Sequence, residues 1–196
     1  MTKKILIIDN AEFEDGDYNQ PLLEAVSRIT DCEMKNYRDV DEAIINSGQF
    51  GGLILSGVPT HYSFGSIDER AQHFAWLRTT SLPVLGICLG HQSMGVIFGS
   101  SVLQGTEAEH ESTQLQIPED DLIFNYIDGT KFDVIALHRG SITLPIDFKL
   151  LASSSTCQNQ VMKHKNKLLY GFQFHPEQSS IGDVLLRNFV EITKAV

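Results

Sequence analysis

The 196-residue chain has 20% charged and 42% hydrophobic residues, ordinary globular usage, and a formal net charge of −10. That charge argues against nucleic acid and anionic membrane surfaces as partners, because both would repel it. No apolar run approaches the ~18 residues that a membrane span needs, and three widely spaced cysteines, Cys32, Cys88 and Cys157, fit a reducing cytoplasm better than a disulfide framework.

The first apolar run, Ile5–Asp9, follows two lysines and ends without a small-residue cleavage site, so it reads as a buried strand and not as a signal peptide. Pro21 opens a helix through Ile29 with Leu22, Leu23, Val26 and Ile29 on one side. Cys32–Tyr37 is a second strand and Asp41–Ser47 a short helix. Gly52–Leu55 is a third strand, running into Ser56-Gly57-Val58-Pro59. Ile67–Arg78 reads as a helix, Pro83–Ile87 as a fourth strand and Gly90–Phe98 as the helix behind it. Strands alternating with helices imply a parallel sheet. In the second half, Ser112–Ile117, Phe132–Leu137, Lys149–Ser153 and Leu168–Phe174 read as short strands, candidates for antiparallel additions. Ile181–Ile192 closes as an amphipathic helix. There is no internal repeat or linker, so one domain over residues 1–196 is expected.

Gly86-Ile87-Cys88-Leu89-Gly90 carries the chemical signal. A buried strand enters a Gly-x-Cys-x-Gly turn and leaves as a helix, the elbow arrangement known for serine nucleophiles with sulfur in place of oxygen. Glycines two residues either side remove Cβ atoms that such a sharp turn cannot hold. A helix N-terminus biases the sulfur towards thiolate, and the Leu89 N–H faces the oxyanion of a tetrahedral intermediate. The competing reading, a small buried core cysteine, fits Cys32 and Cys157 better than Cys88.

A cysteine nucleophile needs a base, and the base an orienting group. Of seven histidines (His61, His73, His91, His110, His138, His164 and His175), only His175 follows an apolar strand and precedes a proline. Glu177 lies two residues on, where an extended backbone would turn it to the same side. The alternative is a histidine packed at a strand end beside a solvated glutamate. No His-x-x-x-His or paired-cysteine spacing suits a metal.

These residues resemble the class I, triad-type, glutamine amidotransferase family. Gly86-Ile87-Cys88-Leu89-Gly90-His91-Gln92 and Phe174-His175-Pro176-Glu177 are similar to its nucleophile and base motifs, and Ser56-Gly57-Val58-Pro59 to its Ser-Gly-Gly-Pro oxyanion strand. Within the family, His138-Arg139-Gly140-Ser141-Ile142-Thr143-Leu144-Pro145 resembles the His-Gly-Asp-x-Val-Thr-x-Leu-Pro segment of the GMP synthase amidotransferase. The resemblance implies an α/β fold of flavodoxin-like three-layer type, with a mixed, mainly parallel central sheet flanked by helices. It implies hydrolysis of L-glutamine to glutamate and ammonia through a Cys88 thioester, with the ammonia passed to a synthase in another chain. The roles it implies are a Cys88, His175, Glu177 triad, an oxyanion hole of the Val58 and Leu89 N–H groups, and a glutamine pocket using Gly57, Gln92, His138 and Arg139.

The chain departs from the family pattern at three places. Val58 replaces a glycine, so a φ > 0 conformation there would cost energy. Arg139 stands where the family usually has glycine, and Asn10–Asn19 is an acidic loop in place of Gly-Ser-Gln-Tyr. There is no phosphate-cradling Gly-x-x-x-x-Gly-Lys-[Ser/Thr] loop and no strand-borne Gly-x-Gly-x-x-Gly, so no cofactor is expected here. Two rival readings are a stand-alone hydrolase of γ-glutamyl compounds using the same triad, and a non-catalytic regulatory subunit that keeps the fold.

Overall fold

The computed structural model describes residues 3–12, 15–59, 65–104, 111–117 and 120–195. Two of the histidines weighed above, His61 and His110, lie outside the described residues.

The apolar runs of the first half form parallel strands. β1 (Lys4–Asp9) lies between β2 (Cys32–Asn36) and β3 (Phe50–Leu55), and β4 (Val84–Ile87) pairs with β3. Three strands of the second half complete the sheet: β9 (Phe148–Ala152), β10 (Val161–His164) and β11 (Leu169–Phe172), in the order β2-β1-β3-β4-β11-β10-β9. β11 runs parallel to β4, so it is not one of the antiparallel additions; β9 and β10 are. Two small antiparallel pairs stand apart: β5 (Val102–Gln104) with β8 (Gly140–Ile142), and β6 (Glu111–Gln116) with β7 (Lys131–Ala136). The sequence reading missed β5, β8 and β10, which are only three or four residues long. So short a run carries no measurable period.

Alternation along β1 sorts the core into two layers. Ile5 and Ile7 pack with Leu22, Ala25 and Val26 of α1 (Gln20–Ser27) and with Leu185, Leu186 and Phe189 of the closing helix. Leu6 and Ile8 face Tyr37, Phe74, Leu77 and Met94 on the opposite side. Every one of these side chains is at most 2% exposed, so the strand is covered on both faces, as its unbroken apolar run requires. α2 (Glu42–Ile45) is a single turn capped by Asp41, whose side chain accepts from the Ile44 N–H at 2.9 Å. The expected helix over 67–78 is shorter: α3 (Gly65–His73) ends at Phe74, and a 3-10 turn follows over Ala75–Arg78. That turn buries Trp76 and Leu77 where a continued helix would hold its own register. α4 (Leu89–Ile97) and α5 (Gly182–Lys194) match their sequence expectations to within two residues. Among the described residues no helix is long and apolar enough to cross a membrane.

Candidate active site

Cys88 sits at the C-terminal end of β4 and caps α4 with φ 48° and ψ −102°. Among the described residues only Cys88 and Tyr126 are non-glycine residues with positive φ. Such a conformation costs on the order of 1–3 kcal/mol and persists only where the surroundings enforce it. The Cys88 N–H donates to the Phe172 carbonyl at 2.8 Å, continuing the β4–β11 ladder into the turn. The flanking glycines are a steric necessity. A methyl on Gly90 would lie 2.4 Å from the Leu55 carbonyl oxygen, and one on Gly86 would lie 2.6 Å from the Gly90 backbone. Val58, where a positive φ would cost energy, has none.

His175 follows β11, the strand beside β4, so the ladder that holds Cys88 also brings the imidazole to it. Its Nδ1 lies 2.6 Å from Glu177 Oε1, with both side chains at most 5% exposed. The contact is as expected but its backbone route is not. Pro176 opens a 3-10 turn over Pro176–Gln178, and it is this turn, not an extended segment, that swings Glu177 back. Nε2 is buried without a hydrogen-bond partner, and the Cys88 sulfur is near enough to act on the charge of the ring. Gly57 fits against both: a methyl there would lie 2.7 Å from His175 Cε1 and 3.3 Å from Cys88 Cβ.

Electrostatics separates this histidine from its neighbours. Burial disfavours the His175 imidazolium, but the Glu177 carboxylate and the Cys88 thiolate outweigh it and hold its pKa above the ordinary value. Burial, with His138 adding to it, pushes His91 down to about 3. Burial also lowers His138, whose Nδ1 donates to the Gly140 carbonyl at 3.0 Å. His91 and His138 are therefore neutral at pH 7, and His175 alone of the three carries a proton readily.

The remaining expected residues are placed as follows. The Leu89 N–H opens α4, one residue beyond the sulfur. The Gly57 carbonyl is held from behind by Ser56 Oγ at 2.9 Å and by Asn19 Nδ2 at 3.3 Å, which fixes the plane of the Gly57–Val58 peptide. Gln92 is buried beside the sulfur's strand, with Nε2 donating to the Gly140 carbonyl at 2.8 Å. His138 is buried, and Arg139 is exposed and makes no ion pair among the described residues. The structure thus gathers Cys88, His175, Glu177, Gly57, Val58, Leu89, Gln92 and His138, and turns Arg139 to solvent.

Sequence reasoning missed a group of neighbours. Asn19 Nδ2 donates to Asp9 Oδ1 at 2.6 Å and Ser56 Oγ at 2.9 Å, and Asn10 Nδ2 to the Ser56 carbonyl at 2.7 Å, so a buried polar knot underlies the oxyanion strand. Arg70, fully buried, donates to the Asn10 carbonyl at 2.9 Å and to Glu12 at 2.8 Å, which anchors the acidic loop. Burial and the nearby Cys88 and Glu177 charges raise the Tyr18 phenol pKa, placing that ring at the edge of the site. Gln173 and the Leu137 carbonyl contact the sulfur, at 3.9 and 3.8 Å. Of these, only Gln173 had a readable signal, its place two residues before His175.

The model of the glutamine amidotransferase class-I family matches residues 9–192. The chain belongs to the class-I glutamine amidotransferase family. Among its relatives, a glutamine-hydrolysing GMP synthase subunit of Methanothrix thermoacetophila is 32% identical over 195 residues, covering 97% of this chain and 99% of that one. The subunit of the same name from Archaeoglobus fulgidus is 38% identical over 146 residues, covering 73% and 76%. Among solved structures, a candidate GMP synthase subunit of Thermoplasma acidophilum superposes with a TM-score of 0.85 at 29% identity, over 100% of this chain and 96% of that one. The family membership agrees with the mixed, mainly parallel sheet and with the elbow on β4.

Proposed function

We propose that this chain is a glutamine amidotransferase that hydrolyses L-glutamine to L-glutamate and ammonia, as a single domain working with a synthase in another chain. The observation that carries the reading is the strained Cys88 elbow facing a buried His175 whose far nitrogen is 2.6 Å from Glu177. His175 Nε2 accepts the thiol proton, and Cys88 Sγ attacks the side-chain amide carbon of glutamine. The oxyanion is taken up by the Leu89 and Val58 N–H groups, donors whose individual loss costs roughly 10²–10³ in rate in comparable sites. The tetrahedral intermediate collapses as His175 returns the proton to the leaving nitrogen, releasing ammonia and leaving a glutamyl thioester on Cys88. Water, deprotonated by His175, then hydrolyses the thioester to glutamate and the free thiol. Glu177 holds the imidazole in the tautomer that presents Nε2 to sulfur and stabilises the imidazolium. Gly57, Gln92, His138 and Arg139 make up the glutamine pocket, with Arg139 at its solvent side. No cofactor enters these steps.

The synthase is of the GMP synthase kind, supported by the two archaeal subunits named above. The chain works in the cytoplasm without membrane or nucleic-acid partners, a reading supported by its free cysteines and its net charge of −10. The test is ammonia and glutamate release from glutamine, alone and with a candidate synthase. Equal yields of both products support the reading. Turnover of γ-glutamyl amines but not glutamine would replace it with the stand-alone hydrolase.

A further inference from the structure

Gln173 is fully buried, two residues before His175 and directly after β11. Its backbone N–H donates to the Gln160 carbonyl at 2.9 Å, so the residue is fixed to the β10 side of the sheet. Its side-chain amide lies between two partners: Oε1 accepts from Gln92 Nε2 at 3.1 Å, and Nε2 reaches the Cys88 sulfur at 3.9 Å. The direction of this chain is set at its other end. The Gly140 carbonyl can only accept, so the Gln92 group 2.8 Å away must be its NH₂. The second hydrogen of that NH₂ then meets Gln173 through its oxygen, which leaves the Gln173 NH₂ no orientation except towards sulfur. Both Gln92 hydrogens are occupied, so Gln92 offers glutamine only its carbonyl oxygen.

A second contact to sulfur has the opposite sense. The Leu137 carbonyl, 3.8 Å away, can accept from a thiol S–H but can only repel a thiolate. Leu137 therefore favours the protonated sulfur and Gln173 the charged nucleophile.

We propose that Gln173 is a further catalytic residue, a side-chain donor to the Cys88 sulfur whose orientation is set by the Gly140–Gln92 chain. The proposal rests on Cys88 being the nucleophile, and its test reads the sulfur without glutamine. Wild type and Gln173→Met, a variant of similar volume without the donor, are alkylated with iodoacetamide at neutral pH, and each cysteine is followed by peptide mass spectrometry. Buried Cys157 and half-buried Cys32 report on packing within the same sample. Loss of a hydrogen bond to a charged group should slow Cys88 alkylation by about tenfold, with Cys32 and Cys157 unchanged. Glutaminase kcat should fall in parallel with little change in KM, because Gln173 touches sulfur and not substrate. Gln173→Glu, which turns an acceptor and a charge to the sulfur, should be slower still. Wild-type Cys88 alkylation in Gln173→Met would overturn the proposal, whatever the activity on glutamine. Should that variant expose Cys157, Gln92→Met decides: it keeps Gln173 but frees its amide to turn, and an unchanged Cys88 rate there overturns the proposal equally.

Discussion

His175 and Glu177 meet at 2.6 Å across a proline-initiated 3-10 turn, with Nδ1 committed to the carboxylate and Nε2 left for sulfur. Glu177→Gln keeps the shape and a hydrogen bond but removes the charge, whereas His175→Ala removes the group that moves the proton. The loss of kcat should therefore be smaller for Glu177→Gln than for His175→Ala. Steady-state kinetics on glutamine decides, and a wild-type kcat in Glu177→Gln would show that another group orients the imidazole.

The same pair gives stability a pH dependence. The folded protein holds the His175 pKa above its unfolded value of about 6.5. Its contribution is thus fully present below about pH 6.5 and lost as pH rises through the raised folded value. Urea unfolding of wild type and Glu177→Gln should show a stability gap that is widest near pH 6 and narrows towards alkaline pH. A gap independent of pH would mean that the carboxylate does not hold the proton on His175.

The elbow stores strain at Cys88, whose φ of 48° suits glycine better than any residue with a Cβ. Cys88→Gly and Cys88→Ala should both be inactive, but Cys88→Gly should be the more stable by about 1 kcal/mol, as relief of a strained residue implies. Thermal unfolding monitored by circular dichroism compares them. Equal melting temperatures would show that the backbone there is not strained.

Gly57 and Gly90 separate activity from folding. Gly57→Ala sets a methyl 2.7 Å from His175 Cε1, so the ring must move, and a displacement of ~1 Å can cost on the order of 10²-fold in rate. Gly90→Ala drives its methyl to 2.4 Å from a strand carbonyl that cannot yield, so it should unfold the elbow. Melting curves beside kcat test this, with a fully active Gly57→Ala as the contrary result.

Much of this site is readable in the sequence because its constraints are local. Gly86 is dictated by crowding within one turn, and Glu177 is two residues from the base it serves. What was not readable depends on contacts between distant segments. Asn19 meets Ser56 across 37 positions, Gln92 meets Gln173 across 81, and the Leu137 carbonyl reaches Cys88 across 49. No periodicity or spacing announces such pairs. Valine at position 58 disfavours a positive φ, and the backbone there has none. At Pro176 the expected contact forms, but a turn and not an extended strand produces it.

Glutamine hydrolysis runs through a thioester on Cys88 in the mechanism proposed above. The direct measurement is mass spectrometry of protein quenched in acid during turnover of glutamine, alongside ammonia release by wild type and Cys88→Ala. A glutamyl adduct is expected on the peptide that contains Cys88, lost together with ammonia release in a folded Cys88→Ala. Ammonia formation persisting in Cys88→Ala would rule out Cys88 as the nucleophile.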